Sequence, residues 1–364
     1  MILFNDLAAQ QVRLRPQIDE RIARVLAHGQ YIMGPEVAEL ETALAARVGV
    51  KHCLTMASGT TALEIALRAL GIGPGDEVIT TPFTWIATAN AIALVGATPV
   101  FVDIRPDSSY LIDPELIPAA LTARTKAILP VSLFGQMAEL ERITELAPGI
   151  PVIEDAAQSF GATRHGRPSC GASLIGCTSF FPTKPLGCYG DGGALFTNDD
   201  TIAAAARAIR THGGERRHHH TRIGTNGRMD TLQAAIVLAK LPTFAHEIDQ
   251  RRVVAERYRH HLMELVEKPI LLPGNTSVHA QYTVRPHAQT TMERQLLVDR
   301  LHAAEIPAAI YYPKGCHEQL SLTSARISGG MPNTNHATAA VLSLPFHPWL
   351  TAAEQQRIAE VIRG

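Results

Sequence analysis

Thr178-Ser-Phe-Phe-Pro-Thr-Lys-Pro-Leu-Gly-Cys-Tyr-Gly-Asp-Gly-Gly193 sets one lysine between an apolar strand and a glycine-rich turn, and the role of that lysine decides how the rest of the chain is read. A solvated lysine has a pKa of about 10.4, so a reactive one must be desolvated, set near other cations or held covalently as an imine. Phe180, Phe181 and Leu186 give Lys184 apolar surroundings, and the glycines from Gly187 onward let the backbone approach a ligand closely. A surface lysine on a loop between two strands is the competing reading. The stretch by itself leaves both open.

Upstream of it, strand and helix signals alternate. Residues 12–27 and 37–48 carry the apolar spacing of two amphipathic helices, separated at Gly34-Pro35. Residues 53–56 read as a short buried strand, followed by Ala57-Ser-Gly-Thr-Thr-Ala62 and a helix through Leu70. Strand, small-residue turn and helix is the order in which backbone N–H groups cradle a phosphate, and a plain turn with a serine cap fits the same residues. Strands over 77–80, 98–102, 126–131 and 152–154, with helices between them, indicate an α/β fold built on a mostly parallel sheet covered on both faces. Ligands of such sheets sit beyond the carboxyl ends of the strands. Ser58-Gly59-Thr60, Pro82-Phe-Thr-Trp85 and Asp155-Ala-Ala-Gln158 all follow predicted strand ends.

A helix over 201–211 is followed by a polar, basic loop, 213–226, with Arg216, Arg217, His218, His219, His220 and Arg222. Consecutive histidines cannot easily share one ion, and no cysteine or carboxylate cluster stands beside them, so no metal is expected. Long helices over 229–266, interrupted at Pro242, lead to a smaller unit with strands at 278–284 and 308–312 and helices at 292–304 and 352–362. The expected division is a large domain, 1–242, and a linking helix with a small C-terminal α/β domain, 243–364.

The 364 residues exceed the size at which single cores stop growing, about 250 to 300. A formal charge of -1 gives no general attraction to nucleic acid or anionic lipid, and an aromatic share of 5% leaves little for stacking on single strands. Five scattered cysteines without a CxxC pair read as reduced and mostly buried, which suits the cytoplasm. The start, Met1-Ile-Leu-Phe-Asn-Asp6, lacks the layout of a signal peptide, and the most apolar run, 86–102, is too polar to span a membrane.

If Lys184 forms an imine with an aldehyde cofactor, that cofactor needs a phosphate cradle, a stacking partner and an acid to keep a ring nitrogen protonated. Asp155 suits the last task better than Glu154, which strand alternation points to the other face; an ordinary helix cap is the other reading of Asp155. Ser58-Gly-Thr-Thr-Ala-Leu63, Pro82-Phe-Thr-Trp-Ile-Ala-Thr88, Glu154-Asp-Ala-Ala-Gln-Ser159, Ser179-Phe-Phe-Pro-Thr-Lys184, Gly190-Asp-Gly-Gly-Ala194 and Asn226-Gly-Arg-Met-Asp230 are six such blocks in fixed order. In order and spacing they resemble the fold-type I pyridoxal-phosphate (PLP) sugar aminotransferases, the DegT/StrS group. Within it, Tyr31-Ile-Met-Gly-Pro-Glu36, Pro130-Val-Ser-Leu-Phe-Gly-Gln136 and residues 179–193 look most like the branch that aminates UDP-2-acetamido-2-deoxy-3-oxoglucuronate for bacterial surface polysaccharide.

The resemblance implies that Lys184 holds PLP as an imine and, once freed, shuttles a proton. It implies Asp155 at the ring nitrogen, Gln158 near the ring hydroxyl, Trp85 stacked on the ring, and Gly59, Thr60 and Ser179 at the phosphate. Asn226 and Arg228 would come from the neighbouring subunit of a homodimer with shared active sites, Asn226 to the phosphate and Arg228 to a substrate carboxylate. L-glutamate would be the amino donor and a UDP-sugar the acceptor, with Tyr311 and Tyr312 on the substrate side. Other 3- or 4-keto sugar nucleotides, or a PLP-binding regulator without turnover, are the alternatives. Two positions depart from the family: Thr61 stands where an acid is common, and Tyr311 stands where a histidine is usual before Tyr-Pro.

Overall fold

The central strands at Glu77–Thr80 and Gly193–Thr197 are short runs buried at every residue, which is why their pattern in the sequence is continuous rather than alternating. The computed structural model describes residues 1–216, 218–287 and 291–364; Arg217 of the basic loop lies outside the described residues. Two helices come first, α1 (Leu7–His28) and α2 (Pro35–Val48). The alternation then begins with β1 (His52–Met56), α3 (Gly59–Ala69), β2 (Glu77–Thr80), α4 (Ala87–Leu94) and β3 (Thr98–Phe101). It continues through α5 (Ile117–Ala120), β4 (Thr125–Leu129), α6 (Leu140–Leu146) and β5 (Ile153–Asp155). A hairpin of β6 (Thr163–Arg164) and β7 (Arg167–Pro168) precedes β8 (Ile175–Ser179), β9 (Gly193–Thr197) and α7 (Asp200–Arg210). The basic loop forms a second hairpin, β10 (Gly214–Arg216) with β11 (His219–His220), and leads to α8 (Thr231–Lys240) and α9 (Phe244–His261). The remainder is β12 (Val266–Glu267), β13 (Tyr282–Pro286), α10 (Thr291–Ala303), β14 (Arg326–Ile327), α11 (Pro332–Ala340), β15 (Leu342–Leu344) and α12 (Ala352–Arg363).

The large sheet runs β1-β9-β8-β5 and then β4-β2-β3-β14, its halves joined by parallel pairing of Val131 with Asp155 and Ile128 with Val152. Only β9 runs against its neighbours, so the sheet is mostly parallel as expected. Successive residues feed opposite cores: Val78 packs with Leu54, Leu129 and Leu195, while Ile79 packs with Val100, Ile128 and Phe196. Beyond it, β12-β13-β15 form a second sheet whose own core stacks Tyr282 on Tyr258 at 4.9 Å and on Phe346 at 5.8 Å.

Two strand expectations need correction. The strand expected over 278–284 starts later, at Tyr282. The one expected over 308–312 shrinks to a single antiparallel pair, Ala309 with Ser343. Pro307 and Pro313 bracket that segment and deprive a longer ladder of N–H donors. The edge strand β14 is an addition: it pairs in parallel with β3, and the Arg326 guanidinium donates to Glu77 at 3.0 Å. All five cysteines are free and buried, and among the described residues no helix is long and apolar enough to cross a membrane.

Candidate active site

β8 ends at Ser179 and the chain folds back at once. Phe180 N donates to Gly192 O at 2.8 Å, Lys184 N to Phe181 O at 2.8 Å and Cys188 N to Phe180 O at 2.7 Å. Lys184 sits in this tight loop, partly buried. Burial pushes its pKa below the ordinary value, with the charge of Asp155 pulling the other way.

β5 delivers two carboxylates to opposite faces. Glu154 is fully buried and accepts from Ser132 Oγ at 2.6 Å, Ser169 Oγ at 3.0 Å and the Cys170 N–H at 2.7 Å, which commits it to the scaffold. Asp155, also buried, accepts from Thr88 Oγ1 at 2.8 Å and from the Ala157 N–H at 3.1 Å. Burial raises its pKa, while those two bonds and the Lys184 charge work against that rise. The next regular element after β5 is the β6 strand, so Asp155 caps a turn rather than a helix.

The start of α3 lies against the end of β8. Ser58 caps the helix, its Oγ accepting from Thr61 N at 3.0 Å, and Thr61 Oγ1 lies 2.9 Å from the same oxygen where the family commonly has an acid. The N–H groups of Gly59 and Thr60 belong to the first turn, which has no helical acceptor and carries the positive end of the helix dipole. A Cβ on Gly59 would fall 2.8 Å from Ser179 Cβ, so only glycine lets these N–H groups and the Ser179 hydroxyl share one pocket. This cradle suits a phosphate.

Gln158 takes the Phe134 N–H on Oε1 at 2.9 Å and donates Nε2 to the Tyr312 hydroxyl at 3.1 Å. Tyr312 is buried, and its ring centroid lies 6.4 Å from that of Trp85, whose indole is 62% exposed. Tyr311 packs edge-on against Phe4 at 6.1 Å. One chain therefore joins Gln158, Trp85, Tyr311 and Tyr312 in one cluster, sets Asp155 within electrostatic reach of Lys184, and lays the Gly59-Thr60 turn against Ser179, five residues before Lys184. Asn226 and Arg228 come from a different segment, just before α8. Gly227 between them accepts from Ala57 N at 2.8 Å and donates to Arg210 O at 3.0 Å, Asn226 is exposed, and Arg228 Nε is buried without a partner among the described residues.

Thr88 is the residue the sequence reading left without a role. It lies inside a quoted block, and its signal was a buried hydroxyl in the first turn of the mostly apolar α4.

Residues 13–363 match the DegT/DnrJ/EryC1/StrS aminotransferase family. The chain belongs to that family. Among its relatives, the UDP-2-acetamido-2-deoxy-3-oxo-D-glucuronate aminotransferase of Pseudomonas aeruginosa is 52% identical over 356 residues, 97% of each chain. A DegT DnrJ EryC1 StrS aminotransferase from Brucella abortus superimposes with a TM-score of 0.96 at 44% identity, covering 100% of this chain and 99% of that one. NtdA from Bacillus subtilis, solved with bound cofactor PMP, gives 0.88 at 30% identity over 96% of this chain and 81% of that one. As an aminotransferase of this family the chain uses PLP, and the cradle, the buried acid and the exposed indole are groups of the kind that cofactor requires.

Proposed function

We propose that this chain transfers the amino group of L-glutamate to the 3-keto carbon of UDP-linked 2-acetamido-2-deoxy-3-oxoglucuronic acid, giving a 3-amino sugar for bacterial surface polysaccharide. The observation that carries this reading is the 52% identity, end to end, to the Pseudomonas aeruginosa enzyme named for that substrate. PLP, when bound, supplies an electron-poor ring that stabilises negative charge on the carbon losing its proton.

The chain's residues do the rest. Lys184 holds the cofactor in the resting protein and afterwards moves the proton with Nζ; its depressed pKa favours the neutral amine that can accept one. Asp155, steadied by Thr88, keeps the ring nitrogen protonated, and the ring's own positive charge favours the ionised acid in return. Gly59, Thr60 and Ser179 hold the phosphate, Trp85 covers one ring face and Gln158 meets the ring hydroxyl.

Asn226 and Arg228 act from a second copy in a cytoplasmic homodimer. Asn226 completes the phosphate site and Arg228, whose Nε is buried without a partner among the described residues, reaches the uronate or the glutamate carboxylate. Tyr311 and Tyr312 line the sugar side.

A panel of keto sugar nucleotides, each incubated with PLP-loaded protein and L-glutamate, tests the assignment by mass spectrometry. Amination of the UDP-linked 3-keto uronate ahead of neutral 3- and 4-keto 6-deoxy sugars is expected. Preference for a neutral sugar would overturn the substrate, and no amination of any would overturn the reaction.

A further inference from the structure

Lys240 is a lysine only 1% exposed, in the last turn of α8, and has no part in the roles given above. A buried ammonium is costly unless its position is fixed by partners. Among the described residues, the groups its Nζ contacts belong to the loop that carries Lys184. Nζ donates to Gly187 O at 2.6 Å and lies 4.1 Å from the centre of the Tyr189 ring. Two residues after Gly187, Tyr189 N donates at 2.9 Å to Gln233 Oε1, also on α8. Gln233 and Lys240 are seven residues apart, two helical turns, so both leave one face of α8.

The loop between Phe180 and Tyr189 closes on itself. A Cβ on Gly187 would fall 2.6 Å from Pro182 O and 2.7 Å from Phe181 O, so the exit of the loop rests on its entry. Pinning the Gly187 carbonyl therefore pins the turn in which Lys184 sits. α8 is itself a rigid base, packed against α1 through Ile236 and Ala239, with Leu14 and Ile18 opposite. Glu247, which accepts from Gln10 Nε2 at 2.8 Å, adds a negative charge that favours the Lys240 ammonium.

We propose that Lys240 and Gln233 are positioning residues: a two-point clamp on α8 that sets the direction of the Lys184 side chain. The proposal rests on the reading of Lys184 as the cofactor-holding amine. The clamp touches neither cofactor nor substrate, and acts only by fixing the backbone on the exit side of the loop.

The test uses the full chain loaded with PLP, in Lys240→Met and, should that variant fold poorly, in Gln233→Met, where the side chain is only partly buried. Four readouts are taken: the midpoint of the pH-dependent change in visible absorbance, the rate of cofactor loss on dilution, melting temperature without cofactor, and steady-state kcat and KM. A clamp predicts a midpoint shifted by roughly half a pH unit or more and cofactor lost several-fold faster. It also predicts kcat reduced about tenfold with KM for both substrates nearly unchanged. A lower melting temperature with unmoved midpoint and unmoved cofactor loss would overturn the clamp and leave the Lys184 reading standing. If native protein shows no pH-dependent band, or keeps it in Lys184→Ala, the Lys184 reading falls and the clamp with it.

Discussion

Thr88→Val tests the account of the ring acid with a change of one hydroxyl for one methyl. Thr88 is 1% exposed, so the substitution alters no surface and little volume. It removes the 2.8 Å bond to Asp155 Oδ2 and leaves the 3.1 Å bond from Ala157 N. A hydrogen bond to a charged group contributes about 1.5–3 kcal/mol, and at about 1.36 kcal/mol per unit that equals a rise of about 1–2 units in the Asp155 pKa. Burial already raises that pKa, so the variant acid holds a proton at pH values where the native one is ionised. Where the variant acid is protonated the ring nitrogen loses its counter-charge, so turnover should fall, by up to roughly 10- to 100-fold, with the loss growing as pH is lowered. Steady-state kinetics across pH 6 to 9, with cofactor content measured on the same samples, reads this directly. Native turnover, with an unchanged pH profile and full cofactor, would refute the role of Thr88 and weaken that of Asp155.

Three further outcomes follow from the geometry. Gly59→Ala puts a methyl 2.8 Å from Ser179 Cβ and spreads the cradle, so affinity for PLP should drop at least about tenfold by equilibrium dialysis; unchanged affinity would remove the cradle from this position. Arg228→Ala should lower kcat/KM for the uronate acceptor roughly 30-fold or more while changing that for a neutral sugar less than about threefold, and equal losses would count against a uronate contact. Burial pushes the Lys240 pKa down to about 8 from an unfolded value of 10.5, so the unfolded chain binds more protons between those pH values and native stability gains as pH rises through them. Lys240→Met lacks that gain, and denaturant titrations should show the native-minus-variant difference growing by about 3 kcal/mol from pH 7 to 10.5; a constant difference would mean Lys240 is not desolvated as described.

Much of the catalytic half could be read from residues alone because its signals are local. The strand at Glu77–Thr80 is a complete buried run, the Ser58 cap marks the start of α3, and alternation separates Glu154 from Asp155. What escaped depends on distant chain. β14 exists because two residues reach β3 and Arg326 finds Glu77, a contact across more than 200 positions. Lys240 reads as a solvated basic residue in a last helical turn, and only the packing of α8 under the Lys184 loop buries it.

The central claim is that Lys184 takes part in moving an amino group. Mixing PLP-loaded protein with L-glutamate alone, without any sugar, and following visible absorbance tests it most directly. The account predicts that the cofactor's band converts to that of its amino form in native protein and does not convert in Lys184→Ala. An unchanged spectrum in the native protein, or full conversion in the variant, would contradict it.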